Sequence, residues 1–281
     1  MITVTGATGH LGRLAIAELL ARGVPASDIT AAVRTPDKAA DLGVRVVHAD
    51  YDDPATLTAA FAGTDRLLFI SSNNLANRAA EHATAVRAAV EAGVGHLAYT
   101  SILRADSSGM LLAGDHLRTE EAIRASGLPY TLLRNGWYLE NYTGQVDNFL
   151  GSGVMTGSAG EGRVSAASRA DFAAAAAAVL TGDGHQGAVY ELAGDDSFTV
   201  PEFAAELSRQ SGKPVRYVDL PVAEYAAQLA GFGLPEQAAQ TYADADHGVA
   251  RGVLHETGGQ LSALIGRPTT TLAEAIAAAL R

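Results

Sequence analysis

Three glycines at intervals of three residues directly follow the first apolar segment of the chain. Gly6, Gly9 and Gly12 come after the short run Ile2–Thr5 and open a stretch with apolar residues at helical spacing, His10–Ala21. Glycine permits a tight turn and a close approach of the backbone to a ligand, and the start of a helix offers free N–H groups and a positive dipole. This order of strand, loop and helix suits a bound pyrophosphate. The alternative is an ordinary strand–helix turn.

Short apolar runs alternate with helical patterns through the first half of the chain. The patterns predict strands at 2–5, 29–33, 44–48, 67–70, 97–100 and 130–133, and helices at 10–21, 36–41, 76–92 and 113–125, with another helix that begins at Pro54. Strict alternation of this kind is typical of an α/β protein. We therefore predict a doubly wound parallel sheet of the Rossmann type with helices on both faces.

The pattern changes after residue 135, where glycines mark turns and helices later dominate. A helix over 170–180 and a strand over 189–192 return to the first domain. We predict a dinucleotide-binding domain over 1–135, with 161–194 packing back on it. A smaller, mainly helical substrate lobe is predicted from 136–160 and 195–281.

Composition narrows the function classes. The 281 residues carry a net charge of −11 and contain no cysteine. Thiol chemistry is thereby excluded, and an acidic surface argues against nucleic acid and anionic membranes as partners. No apolar run reaches membrane-span length, and the N-terminus has no signal-peptide pattern, so we expect a cytoplasmic protein. The eight histidines are scattered, and we expect no metal site.

Arg34 follows the second predicted strand, where NAD-specific sites usually place an acidic residue for the ribose 2′-hydroxyl. A guanidinium matches a 2′-phosphate in charge and geometry, and Lys38 lies one turn later. Asp37 stands after Pro36, beyond the strand end. We therefore favour NADPH, although Arg34 as a solvated charge is the alternative. The loop residues expected to contact the cofactor are Gly6, Ala7, Thr8, Gly9, His10, Leu11 and Gly12.

Two further turns follow strands at the same edge of the predicted sheet. Asp50 follows the third strand, where it would lie beside the adenine, but an Asx turn is an equal explanation. The fourth strand is followed by Ser71, Ser72, Asn73 and Asn74. Small polar side chains there suit ribose and phosphate on the nicotinamide side, with plain turn chemistry as the alternative.

The chain lacks the Tyr-x-x-x-Lys pair that short-chain dehydrogenases usually use. Its two lysines, Lys38 and Lys213, are preceded four residues earlier by arginines. Interconversion of an alcohol and a ketone needs a proton donor beside the hydride path, so that chemistry is disfavoured. A quinone is a more electrophilic acceptor, and water can protonate its delocalised reduced anion.

His116 lies on the helix where the missing pair would stand. It is the one candidate for a proton donor or a substrate-orienting group. The alternative is a helix-surface or packing histidine in an i,i+4 pair with Glu120.

Several segments together resemble the NmrA-like atypical short-chain dehydrogenase/reductases. They are residues 5–12, 24–29, 32–36, 130–142, 168–172 and 265–272, and the similarity extends over essentially the whole chain. Within that family the chain is most similar to the bacterial quinone reductases, with triphenylmethane dye reductases as near cousins. One departure is His10, where relatives often carry glutamine.

The resemblance implies transfer of hydride from NADPH to a quinone or a similar aromatic acceptor, without flavin. It also implies cofactor contacts from residues 71–74 and from Trp137, Tyr138, Asn141 and Arg169. Core packing is the alternative for Trp137, and a salt bridge with Asp171 is the alternative for Arg169. Two other functions stay open: a non-catalytic NADP-sensing regulator and a reductase of dyes or other conjugated acceptors. A homodimer is kept as a hypothesis.

Overall fold

A seven-stranded sheet dominates the computed structural model, which describes residues 1–281. In chain order the strands are β1 Ile2–Thr5, β2 Ile29–Val33, β3 Arg45–His48, β4 Arg66–Phe69, β5 His96–Ile102, β6 Tyr130–Asn135, β7 Val154–Gly157, β8 Arg163–Val164, β9 Val189–Leu192, β10 Phe198–Thr199 and β11 Arg216–Asp219. The sheet order is β3-β2-β1-β4-β5-β6-β9. Neighbours from β3 to β6 are parallel, and β9 lies beside β6.

Helices connect these strands and make up most of the C-terminal part of the chain. They are α1 His10–Ala21, α2 Pro54–Phe61, α3 Arg78–Glu91, α4 Leu111–Ala125, α5 Glu140–Thr143, α6 Val146–Ser152, α7 Arg169–Thr181, α8 Val200–Ser211, α9 Val222–Gly231, α10 Glu236–Ala250, α11 Gln260–Ile265 and α12 Leu272–Ala279. Short 3₁₀ turns, Ala26–Asp28 and Pro36–Leu42, precede and follow β2.

The central strands are buried on both faces. Every residue of β1, β2 and β5 is buried, as expected for parallel strands covered by helices on each side. One core cluster joins the sheet to α2 and α3 through large apolar side chains, among them Leu57, Phe61, Phe69, Val86, Leu97, Tyr99 and Leu132. Burial of such a side chain contributes about 1.5–3 kcal/mol, so this cluster fixes the rigid frame on which the loops stand.

The predicted fold class is confirmed, and the differences are local. β1, β2, β9 and α1 have the predicted bounds. The segment predicted as a helix over 36–41 is a 3₁₀ turn that ends at Gly43 with φ 67°. β5 runs beyond residue 100 because Ser101 and Ile102 pair with the last two residues of β6.

The chain divides into two compact units. The first contains residues 1–102, 115–135 and 169–190, and the second contains residues 103–114, 136–168 and 191–281. The second unit carries two small sheets of its own: β7 pairs with β11 in parallel, and β8 pairs with β10 in antiparallel fashion. Helices, among them α8 to α12, make up most of the rest of this unit.

The unit boundaries differ from the predicted ones at residues 103–114, 161–168 and 191–194. The first segment joins the second unit because Arg104 binds the carbonyl oxygens of Gly252 and Val253 at 3.2 and 3.1 Å and pairs with Glu256 at 3.0 Å. The second segment joins it because it contains β8, and because the N–H of Ser165 donates to the carbonyl oxygen of Leu254 at 3.0 Å. Each of these contacts joins residues that are far apart in the sequence.

Candidate cofactor site

The glycine loop stands at the carboxyl end of β1, and the strand order reverses between β1 and β4. Gly6 has φ +59°, a left-handed conformation that favours glycine. A Cβ atom on Gly12 would stand 2.5 Å from the carbonyl oxygen of Gly6 and 2.7 Å from the Cα atom of Ala7. Gly6 is therefore required by the turn, and Gly12 is required by the close packing of α1 against the loop.

The N-terminus of α1 has no side-chain cap. Gly9 is the N-cap residue, no side chain accepts a hydrogen bond there, and the first turn contains no acidic residue. Gly6, Gly9 and His10 are exposed. The N–H groups and the positive end of the helix dipole are therefore available to an anion, which fits a pyrophosphate.

Arg34 stands at the carboxyl end of β2, one strand away from the glycine loop in the sheet. Its side chain is exposed and makes no hydrogen bond or ion pair inside the chain. Lys38 is also exposed and lies in the 3₁₀ turn that follows. The two cations are thus free to meet a phosphate group, and Asp37 is their one acidic neighbour in this turn before Asp41.

Arg13 ties this turn to the glycine loop, a role that the sequence did not reveal. Its Nη2 donates to the carbonyl oxygen of Lys38 at 2.6 Å, and its Nε donates to that of Thr8 at 3.3 Å. Its Nη1 pairs with Asp41 at 2.7 Å, and this hydrogen bond holds the pKa of the exposed Asp41 carboxyl below its usual value. Arg13 therefore joins the glycine loop to the turn that carries Lys38.

Asp50 forms the turn that was the alternative to adenine recognition. Its Oδ1 accepts a hydrogen bond from the N–H of Asp52 at 3.1 Å, and its carbonyl oxygen accepts one from the N–H of Asp53 at 3.0 Å. The Asx turn is therefore present. Contact of the same carboxylate with an adenine stays a prediction.

The loop after β4 is held from below by buried side chains. The N–H of Ser71 donates to Thr100 Oγ1 at 2.9 Å, and the N–H of Ser72 donates to His82 Nε2 at 2.9 Å. Asn73 and Asn74 are exposed at the tip. Two more hydrogen bonds hold the loop. Asn74 Nδ2 donates to Glu81 Oε1 at 2.6 Å, and Arg78 Nε donates to the carbonyl oxygen of Ser72 at 2.8 Å. The loop thus presents a fixed polar surface.

Beneath this loop, a buried polar network joins α3, β5 and α4. His82 Nδ1 lies 2.8 Å from Thr119 Oγ1, and the Tyr99 hydroxyl lies 2.8 Å from His116 Nδ1. Burial, assisted by the charge of Arg78, lowers the pKa of His82 to about 3. Burial also holds the pKa of His116 well below its usual value. Both imidazoles are therefore neutral at physiological pH.

The predicted pair of His116 with Glu120 is wrong, whereas His116 is buried as a packing histidine would be. Glu120 is fully buried and accepts hydrogen bonds from Arg134 Nε at 2.9 Å and Nη2 at 2.7 Å, as well as from Ser101 Oγ at 2.6 Å. Arg134 outcompetes a neutral imidazole because its charged fork matches a carboxylate. His116 is 5% exposed and binds Tyr99 instead. Its predicted role as a proton donor stays a prediction.

Three expected cofactor residues belong to the second unit, just after β6. Trp137 and Tyr138 lie beside the segment that ends at Ala167, whose N–H donates to the carbonyl oxygen of Trp137 at 3.0 Å. The N–H of Leu139 donates back to the carbonyl oxygen of Ala167 at 2.9 Å. Asn141 follows in α5. Trp137, Tyr138 and Asn141 are all partly exposed, so their side chains retain surface for a ligand.

Arg169 is the first residue of α7, in the first unit. It is partly exposed, whereas Asp171 in the same turn is fully buried. Its cofactor contact and the alternative salt bridge both stay predictions.

Two features concern other site types. No group of three or more His, Cys, Asp or Glu side chains within residues 1–281 could hold a metal ion. No helix among these residues has the length and apolar character needed to cross a membrane.

The sheet order, the glycine loop and the uncapped helix together define a dinucleotide-binding protein of the Rossmann type. A family model described as NAD(P)H-binding matches residues 6–183. The chain belongs to this NAD(P)H-binding family.

Known proteins resemble the chain over its full length. It is 50% identical over 279 residues to quinone oxidoreductase 2 of Escherichia coli (strain K12), covering 98% of this chain and 97% of that protein. The structure of the Escherichia coli NADPH-dependent quinone oxidoreductase with NADPH aligns with a TM-score of 0.96 at 49% identity and covers 100% of both chains. These matches confirm the resemblance predicted from the sequence.

More distant relatives are a triphenylmethane reductase and an azoreductase. Citrobacter sp. triphenylmethane reductase, in complex with NADP(H), aligns with a TM-score of 0.92 at 40% identity over 99% of this chain and 100% of that one. The NAD(P)H azoreductase of Xenophilus azovorans is 30% identical over 282 residues, or 98% of this chain and 96% of that protein.

Proposed function

We propose that the protein is an NADPH-dependent oxidoreductase that transfers hydride to a quinone without flavin. The observation that carries this proposal is the 50% identity to a quinone oxidoreductase over 98% of the chain. A structure of that kind of enzyme holds NADPH and superposes along the whole chain. NADPH is therefore the cofactor, and a small conjugated molecule is the substrate.

The geometry of the first unit supports this assignment. The loop of residues 6–12, which is exposed at Gly6, Gly9 and His10, and the uncapped start of α1 would hold the pyrophosphate. Arg34, free of internal partners, would bind the 2′-phosphate, with Lys38 beside it. The other residues for which we propose cofactor contacts are Asp50, Ser71, Ser72, Asn73, Asn74, Trp137, Tyr138, Asn141 and Arg169.

The reaction that we propose needs no proton donor from a Tyr–Lys pair, which this chain lacks. NADPH supplies a hydride when it is bound. The two lysines are both exposed and neither follows a tyrosine at the usual spacing, so no tuned Tyr–Lys acid stands ready. A quinone needs none, because the reduced anion is delocalised and takes its proton from water. The chain's own task is to bind and orient the two partners.

Dyes are a second candidate class of acceptor. The dye-reducing relatives at 40% and 30% identity favour this possibility, because a conjugated cation or azo group is also electrophilic. The identity to the quinone reductase is higher, and this order predicts that quinones turn over faster than dyes.

An acceptor panel tests the proposal. Purified protein whose absorbance spectrum shows no flavin is mixed with NADPH and with benzoquinones, naphthoquinones, triphenylmethane dyes or azo dyes. We expect rapid NADPH oxidation with quinones and slower oxidation with dyes. Cofactor binding without turnover of any acceptor would instead support the non-catalytic regulator, and strict dependence on added flavin would refute the proposal.

Two other expectations are kept as proposals. We infer a cytoplasmic location and a homodimer. Fractionation of cells and light scattering of the purified protein are the respective tests. A membrane-associated pool or a monomer would contradict them.

A further inference from the structure

In the hydrogen-bond network under residues 71–74, backbone groups at its ends determine which side-chain atoms donate and which accept. A backbone N–H is always a donor, so the N–H of Ser72 requires an unprotonated Nε2 on His82, 2.9 Å away. His82 is neutral, and its proton is therefore on Nδ1. That Nδ1–H donates to Thr119 Oγ1 at 2.8 Å. The tautomer of His82 is thus set by the main chain.

The next step passes through Thr119. Its hydroxyl oxygen accepts the hydrogen bond from the Nδ1–H of His82. The same hydroxyl donates a hydrogen bond to the carbonyl oxygen of Asp115 at 2.8 Å. A carbonyl can only accept, so both ends of this branch are fixed. His82 Nδ1 is farther from the Tyr99 oxygen, at 3.4 Å, than from Thr119.

Tyr99 therefore directs its proton to His116. Its side chain is fully buried, and burial raises the pKa of its hydroxyl well above the usual value, so the proton is always present. Thr119 also neighbours this hydroxyl, but the contact at close hydrogen-bond distance is with His116 Nδ1, at 2.8 Å, which we take as the acceptor. A neutral imidazole that accepts at Nδ1 carries its proton on Nε2.

Nε2 is the free end of this chain of bonds. It forms no hydrogen bond within the protein. Glu81 Oε2 and Asn135 Oδ1 also lack a partner but are fully buried, whereas His116 Nε2 is not. The small exposed fraction of His116, 5%, therefore includes this N–H. A neutral donor is held at the surface of an otherwise buried network.

We propose that Tyr99 is a positioning residue that fixes His116 as the Nε2–H tautomer, and that this N–H donates a hydrogen bond to the oxygen of the acceptor. The second half of this statement rests on the proposed function. Hydride delivery places two electrons and one hydrogen on the quinone and leaves negative charge on a ring oxygen. The N–H stabilises that charge without being transferred, and the balancing proton comes from water.

The tautomer can be measured without any variant. Long-range ¹H–¹⁵N spectra of the intact protein distinguish an imidazole protonated at Nε2 from one protonated at Nδ1, and His116→Gln identifies the signals of His116. We expect His116 as Nε2–H at neutral pH, whether or not any acceptor turns over. An Nδ1–H tautomer, or a doubly protonated ring, would overturn the proposal.

The kinetic consequence is tested with a matched pair of variants. Tyr99→Phe removes the hydroxyl group that forms a hydrogen bond with His116. Tyr190→Phe is the control, because it removes a hydroxyl group that lies 2.8 Å from Nδ1 of His185, elsewhere in the first unit. We expect Tyr99→Phe to lower kcat with a quinone by about 3- to 10-fold, the worth of one neutral hydrogen bond, and to leave KM for NADPH unchanged. Tyr190→Phe should change neither.

Substitution of His116 separates a donor from a packing residue. His116→Leu should lower kcat by about 100-fold, as expected for a lost donor to a developing oxyanion, and His116→Gln should restore most of it because its amide also donates. Equal losses in the leucine and glutamine variants, with melting temperatures near wild type, would overturn the catalytic role. An inactive wild type would refute the proposed function and leave the tautomer measurement standing.

Discussion

Arg34→Glu tests the basis of cofactor choice. Arg34 is exposed at the end of β2 and has no partner inside the protein, so its replacement should leave the fold intact. The variant exchanges a guanidinium for a carboxylate at the position proposed to face the 2′-phosphate. NADH lacks that phosphate, and its binding should therefore be insensitive to the change.

The expected size of the effect follows from the charged hydrogen bonds that the guanidinium would make with the 2′-phosphate. A hydrogen bond to a charged group contributes about 1.5–3 kcal/mol, which corresponds to roughly 10- to 150-fold in Kd for NADPH. Repulsion between the new carboxylate and the phosphate acts in the same direction, by about 1 kcal/mol at 4 Å in water. Kd for NADH should change by less than about 2-fold.

Titration of both nucleotides, at low and at high salt, measures the effect. Because Arg34 is exposed, salt should shrink the difference between wild type and variant. Arg45→Glu is the matched control: Arg45 is also an exposed arginine without internal partners, but it lies at the opposite end of its strand. Equal weakening of NADPH and NADH by Arg34→Glu, or the same NADPH loss in Arg45→Glu, would refute the assignment.

Three further substitutions test loop packing and buried charges. Gly12→Ala should weaken NADPH binding and lower stability by about 1–3 kcal/mol, because its Cβ would stand 2.5 Å from the oxygen of Gly6; an unchanged melting temperature and Kd would contradict this. Glu120→Gln should cost about 3–5 kcal/mol in urea unfolding, since it leaves the buried Arg134 without its carboxylate, and a loss below about 1 kcal/mol would show that the pair contributes little. Burial raises the pKa of Asp246 from 3.8 to about 6, so the folded state holds that proton more tightly and stability from this group falls as the pH rises through that range. Asp246→Asn should therefore raise the melting temperature more at about pH 8 than at about pH 5, and equal shifts at both values would count against this reasoning.

The fold and the conformation of the glycine loop were predictable because their signals are local. Alternation of apolar strands with helical patterns needs only neighbouring residues, and it predicted the sheet and the bounds of α1. Gly6 has a left-handed backbone conformation that other residues disfavour, and Gly12 permits the close packing of α1 against the loop. The position of Arg34 could be predicted because it is counted from a strand end, and its contact with the cofactor stays a proposal.

The supporting contacts were not predictable, because the fold brings them together. Arg13 was one surface arginine among many until the 3₁₀ turn was placed beside it. His82 and Tyr99 lie on different elements, and no spacing in the sequence joins them to His116. The same reason explains residues 103–114, which belong to the second unit through Arg104 and its distant partners.

The central claim, direct hydride transfer from NADPH to a quinone without flavin, is tested most directly by a single-turnover reaction. Protein that is free of flavin by absorbance is loaded with NADPH carrying deuterium at the transferred position and mixed rapidly with benzoquinone. We predict stoichiometric formation of hydroquinone and NADP⁺, slower with the deuterated cofactor than with ordinary NADPH. No oxidation until flavin is added, or oxidation equally fast without the protein, would contradict the account.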